Sequence, residues 1–216
     1  AMEAGIKPIC GVDLLIRNDE DLNKPHVIIF LIQNNIGYKN LTELVSKSYR
    51  EGQHLGRPMI NLDWLTPKSC EGIIALSGGR DGDIGRALLL DNENLAKKRL
   101  ERWLKIFDSR FYLQLVRTGR IHEENYLHSC IQLAQSEKVP VVATNGVCFL
   151  KSDDFLSHEV RVCINEGRTL DDPKRLKNYS DQQYLRSTEE MCELFSDIPE
   201  AIQNTLEIAK RCNLEL

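Results

Sequence analysis

The run Val27-Ile28-Ile29-Phe30-Leu31-Ile32 constrains this chain most, because six successive apolar and mostly β-branched residues fit a strand covered on both faces. It is far short of the roughly 20 residues that a membrane helix needs. Strand-length apolar stretches recur at Ile9 to Ile16, Gly72 to Ser77, Phe111 to Val116 and Val139 to Thr144. Asn34-Asn35-Ile36-Gly37 reads as a turn closing the second stretch, and from Asn40, an N-cap, Leu41, Leu44, Val45 and Tyr49 recur at helical spacing. A further helical stretch covers Ala87 to Leu90, and helices are predicted over Asn92 to Phe107 and His122 to Lys138. In the first of these two, Glu93/Lys97, Lys97/Glu101 and Glu101/Lys105 are i,i+4 pairs, while Leu95, Leu100, Trp103 and Leu104 share a face. The β-α-β rhythm predicts an α/β chain with parallel strands and right-handed crossovers.

After Val147-Cys148-Phe149-Leu150 the remainder reads as helical. Helices are expected at Asp153 to Glu166, Ser187 to Phe195 and Pro199 to Cys212, with a turn near Tyr179-Ser180. Ser187 with Glu190 matches a capping box, and Asp197 before Pro199 suits a helix entry. Neither repeat nor linker interrupts the chain, so residues 3–216 are expected to form a single domain, with Ala1-Met2 a tag remnant and initiator. The N-terminus lacks the apolar stretch of a signal peptide. Seven cysteines are scattered without any CxxC, the pattern of reduced thiols in a cytoplasmic protein.

The charge balance bears on partners. With 28 basic against 32 acidic residues, net −4, the chain has no broad positive face for nucleic acid. Candidate chemistry is expected where strands end: Asp13, His26, the Gly78-Gly79 turn, Arg117, and Asn145 to Cys148. Ser77-Gly78-Gly79-Arg80-Asp81-Gly82 either cradles a phosphate ahead of a helix or is a plain tight turn, and it lacks the residues of a P-loop. Asp13 and His26 are the type of pair that could share a divalent metal, or could be ordinary hydrogen-bonded residues. His54, His122, His128 and His158 lack partners at ligand spacing. Asp153-Asp154 and Asp171-Asp172 suit helix starts better than acid-base work. No Gly-x-Ser-x-Gly is present and no cysteine has an obvious orienting histidine, so no catalytic residue is assigned.

Several longer strings are specific. Ala4-Gly5-Ile6-Lys7-Pro8-Ile9-x-Gly11-x-Asp13, Asn35-x-Gly37-Tyr38-x-Asn40-Leu41-Thr42, Leu76-Ser77-Gly78-Gly79 and Pro140-Val141-Val142-Ala143-Thr144-Asn145 occur in that order. They continue with His158-Glu159-Val160-Arg161-Val162, Leu170-Asp171-Asp172-Pro173-Lys174-Arg175 and Glu189-Glu190-Met191-Cys192-Glu193-Leu194-Phe195. Together they resemble the PHP (polymerase and histidinol phosphatase) domain of the bacterial replicative DNA polymerase III alpha subunit family.

That resemblance implies a distorted seven-stranded β/α barrel, here incomplete at the N-terminus and followed by a helical C-terminal segment. It also implies a set of metal ligands, of which a first His-x-His pair lies upstream of Ala1. Asp13 and His26 match two of the other positions, but Gly79 stands for an expected Cys, Gly146 for an Asp and Cys148 for a His. Asp13, His26 and Cys148 are therefore expected to be a vestigial metal set. Glycine offers no side-chain donor, so a multinuclear cluster would be held weakly. The implied role is a degenerate structural module that docks the proofreading exonuclease subunit and other replicase subunits. The parent polymerase would use magnesium and bind primer-template DNA through other parts of its chain, in the cytoplasm. No cofactor is expected in this piece itself, and zinc or manganese only if the PHP site is active. The alternative is a metal-dependent phosphoesterase or 3′-5′ exonuclease, and truncation predicts self-association through an unpaired strand edge.

Overall fold

A computed structural model describes residues 5–215 of the chain, so the reading of Ala1-Met2 lies outside the described residues. Strand β1 (Gly11–Ile16) pairs antiparallel with β2 (His26–Ile32), and helix α1 (Asn35–Glu51) follows. A small ribbon of β3 (Gln53–His54) and β4 (Arg57–Pro58) precedes β5 (Ile73–Leu76). Then come α2 (Asp83–Leu89), α3 (Glu93–Phe107), β6 (Phe111–Val116), α4 (Glu123–Glu137) and β7 (Val141–Thr144). Helices α5 (Phe155–Glu166), α6 (Thr188–Leu194) and α7 (Pro199–Arg211) complete the described chain.

The main sheet has the order β1-β2-β5-β6-β7, with antiparallel joints from β1 to β5 and parallel joints from β5 to β7. The α/β class is as expected. The wholly parallel pattern is not, because the link from β1 to β2 is too short for a crossover and must return antiparallel. Nor do these strands close a barrel: among the described residues the sheet is open, with β1 and β7 at its edges.

Alternation along each strand sorts side chains to two faces. Leu14, Ile16, Ile28, Phe30, Ile73, Ala75, Leu113 and Leu115 pack in the main core with Leu41 and Leu44 of α1, Leu88 of α2, Trp103 of α3 and Leu127 of α4. Phe30, Trp103, Phe107 and Phe111 form its aromatic centre, with ring centroids 5.3 to 6.5 Å apart. On the other face Ile74, Leu76, Tyr112 and Val142 pack against Ile208 and Cys212 at the end of α7. The buried stripe of α3 is Ala96, Leu100, Trp103 and Phe107, and Lys97 reaches Glu137 on α4 at 2.8 Å.

Asn34 caps α1 by accepting from the Gly37 amide at 3.0 Å, so the N-cap lies six residues before the one expected at Asn40. The string Asn34 to Gly37, read as a turn, is that cap and first turn. Gly37 is needed there because a Cβ would sit 1.9 Å from the Gly72 carbonyl oxygen. Gly37→Ala is expected to cost about 1–2 kcal/mol by forcing α1 off the sheet, seen as a lower urea midpoint at unchanged slope. An unchanged midpoint would overturn this. The capping box of Ser187 and Glu190 is formed as read.

The expected helical remainder is interrupted. Residues 168–187 form no helix, and their one bridge pairs Tyr184 with Phe149. This strap is held instead by polar side chains.

Candidate functional site

The C-terminal ends of β5, β6 and β7 bring the Gly78-Gly79 turn, the loop after Arg117 and the segment Asn145 to Cys148 to one end of the sheet, as parallel strands require. Gly78 has φ +75°, and a Cβ there would lie 2.1 Å from the Val27 carbonyl oxygen, so the turn is built on backbone contact with β2. The helix after it already carries an acid: Asp83 accepts from the Ile84 amide at 2.8 Å. The plain tight turn accounts for this loop, since Gly78 is fixed there by its φ and its contact with the Val27 carbonyl.

Next to it, Glu123 is buried and accepts from the Thr118 hydroxyl at 2.7 Å, the Gly119 amide at 2.8 Å and the Thr118 amide. It folds the loop after β6 into a fixed hook. Arg117 points away to grip Asp197 with two bonds of 2.6 and 2.7 Å and the Leu194 carbonyl, tying β6 to the start of α7. The guanidinium holds the Asp197 carboxyl below its ordinary range. Arg117 is therefore a structural clamp, and Asp197 is its partner rather than a helix cap.

The strap lies across this end of the sheet. Asn145 donates to the Gln182 and Tyr184 carbonyls at 3.1 and 2.7 Å, Gln183 donates to the Gly146 carbonyl at 3.0 Å, and Ser180 donates to the Thr118 carbonyl. Arg175 pairs with Glu159 of α5, both side chains being buried. Between strap and loops lies a cleft of about 1000 Å³ lined by Arg80, Asp81, Arg120, Arg175, Lys177 and Tyr179 among others. Of its cations, Arg175 is paired with Glu159, and Arg120 with Glu123 and Asp81.

Cys148 and His158 border a neighbouring cavity of about 370 Å³. The Cys148 thiol donates to the Gly146 carbonyl at 3.4 Å, and burial pushes its pKa up. His158 Nδ1 accepts from Arg161 at 2.9 Å, so the neutral ring carries its proton on Nε2, which has no hydrogen-bond partner. Tyr179 meets this ring edge-on at 4.5 Å, and burial lowers the His158 pKa. A nucleophilic Cys–His pair needs a lowered thiol and a charged imidazole, the reverse of both shifts. Of the other histidines, His128 lies exposed on α4, while His122 precedes that helix with φ +62° instead of belonging to it.

The model of the PHP domain family matches residues 1–118. The chain belongs to the PHP domain family. It is 51% identical over 216 residues to the DNA polymerase III subunit alpha of Pseudomonas aeruginosa. Identity is 53% over 211 residues with the same-named protein of Escherichia coli, and 45% over 215 with that of Haemophilus influenzae. These matches cover 98 to 100% of this chain but 18% of each relative.

In this PHP domain the positions compared with metal ligands do not converge. Asp13 pairs with Ile29 and His26 with Ile16, an offset of three residues along β1, or about 10 Å. Because cross-strand partners share a face and successive residues alternate, Asp13 and His26 point to opposite faces of the sheet. Asp13 is exposed, although neighbouring atoms crowd its carboxyl and push its pKa up. His26 is buried on the main-core side. Gly79 leaves room where a side chain would approach the buried, unpartnered Gln114 Oε1, with 4.0 Å to a Cβ. At Gly146 a Cβ would meet Gln183 Nε2 at 3.6 Å. Among the described residues, no three His, Cys, Asp or Glu side chains gather in a metal-binding group. The donors present do not fit a multinuclear cluster.

Glu123, Gln114 and the strap had no signal in the sequence as site components. An acid seven residues after a strand looks like any helix start, and only the fold brings residue 183 to residue 146.

Proposed function

We propose that this PHP domain is a non-catalytic structural module of a replicative DNA polymerase alpha subunit and the platform on which the proofreading exonuclease subunit docks. The chain spans 18% of the length of the curated relatives it matches, which leaves polymerisation to the rest of a longer protein. That protein performs template-directed DNA synthesis in the cytoplasm, holding magnesium and primer-template through residues outside these 216. The observation that carries the reading is the placement of Asp13 and His26 on opposite sheet faces, together with glycine at two compared ligand positions. A site without converging donors holds no cluster.

Elemental analysis of protein purified without chelator tests it. Zinc and manganese well below one per chain are expected, with no phosphatase turnover. Near-stoichiometric metal with turnover would establish the metal-dependent phosphoesterase or exonuclease instead. Co-elution with the exonuclease subunit tests the docking half, and separate elution at micromolar concentrations would overturn it.

The barrel implied by the resemblance is completed, in this reading, by strands added beside β1. Ile60 covers only the C-terminal half of that edge, donating to the Leu15 carbonyl at 2.8 Å and accepting from Arg17 at 3.0 Å. The outer side of Gly11 to Asp13 is the open part. Such an edge pairs with other chains, so light scattering of the 216-residue chain is expected to show dimers or larger species. A stable monomer at high concentration would count against it.

A further inference from the structure

Helix α5 presents two different faces. His158, Glu159 and Cys163 are buried against the domain. Leu156, Val160 and Ile164, spaced four apart, are 63%, 40% and 76% exposed and form a continuous apolar stripe. The stripe runs into a groove that Leu156 shares with Leu170, rimmed by Lys177 and by the Arg175–Glu159 ion pair. A scattered exposed leucine is ordinary, but a stripe along three helical turns with a groove at its end is the pattern of a covered face.

We propose that this stripe is the surface against which the rest of the polymerase polypeptide packs. The inference rests on reading the chain as one part of a longer alpha subunit. The relatives are more than five times as long as the matched region, so in a protein of that size the larger part of the chain has to be accommodated beside this domain. The stripe suits a covalently attached neighbour. Its apolar centre carries no charged side chain, and a segment of the same chain arrives at high effective concentration. Lys177 of the strap stands at the rim, while Arg175 is already paired with Glu159, so a carbonyl-rich edge on the covering segment completes the contact.

The test uses the full-length protein with Ile164→Cys, and in parallel Val160→Cys, each treated with a thiol reagent and read by peptide mass spectrometry. Labelling in urea sets the fully accessible level. In the native full-length protein the introduced thiol is expected to label at least tenfold more slowly than the same thiol in the 216-residue chain. Equal labelling in the two would overturn the proposal. So would protection that arises only when the exonuclease subunit is added, or only as protein concentration rises, since the occupant would then be a partner or a second copy. Ile164→Glu gives an independent readout: a lowered Tm in the full-length protein with none in the 216-residue chain supports the proposal, and equal shifts overturn it. A natural protein that ends with this domain would defeat the longer-subunit reading itself, a failure distinct from labelling in a full-length polymerase.

Discussion

Replacing Asp83 with alanine is expected to remove about 2–3 kcal/mol of folding stability, the cost of stranding a buried donor and losing a charge-assisted bond to a partly exposed arginine. Asp83 is 4% exposed at the start of α2. Its carboxylate accepts from Trp103 Nε1 at 3.0 Å and from Arg102 at 2.6 Å, and its carbonyl accepts from Arg99. Alanine leaves the Trp103 N–H in the core without an acceptor and the Arg102 cation with water and the Trp103 ring face, 5.5 Å away. Domains of this kind hold about 5–15 kcal/mol in total, so the variant should lose a large share of its stability margin. Asp83→Asn keeps an acceptor for Trp103 and is expected to lose roughly half as much. Urea unfolding followed by tryptophan fluorescence and circular dichroism measures both. A loss below about 1 kcal/mol for alanine would show the carboxylate to be no more than a surface-type pair. The effect reaches the candidate site, because α2 directly follows the Gly78-Gly79 turn.

Asp83 also shows where the sequence stops being informative. The turn preceding it is legible from its glycines, and Trp103 is legible as a core residue from helical spacing. That the two meet depends on α2 and α3 crossing, which no local pattern encodes. The same holds for Arg117 and Asp197, eighty residues apart and joined at 2.6 Å. Strand positions were legible because β-branched apolar runs satisfy the pleat locally. The antiparallel return from β1 to β2 follows from a linker too short to cross over, but the helix-like rhythm of the later chain masked it. Asp13 and His26 illustrate the cost. Each occupies a sequence position that matches the family pattern, and pairing register alone decides that they face opposite ways. The strap at 168–187 escaped because its order comes from long-range bonds of Asn145, Ser180 and Gln183, which periodicity does not record.

The second large effect concerns pH. His26 is buried beside Asp83, and its pKa is lowered to about 4, chiefly by burial. The Asp83 charge raises it in part, while Arg86, Arg99 and Arg102 lower it further. In the unfolded chain the imidazole titrates near its ordinary 6.5. As pH falls below 6.5 the unfolded chain takes up a proton that the folded chain refuses until about 4, so stability is complete above 6.5 and is lost progressively down to 4. The full shift corresponds to about 3 kcal/mol, which screening by residual solvent reduces to ~2 kcal/mol. His158 shifts in the same direction through burial and Arg161, and adds to the slope. Unfolding free energy measured at intervals from pH 7.5 to 4 should therefore fall more steeply in the wild-type chain than in His26→Gln. The glutamine variant isolates the ring because it keeps a polar side chain without a titration in this window. Parallel curves for the two proteins would mean that His26 titrates normally. Asp83→Asn should carry the fall on below pH 4, since removing the Asp83 charge depresses the His26 pKa further while the three arginines remain.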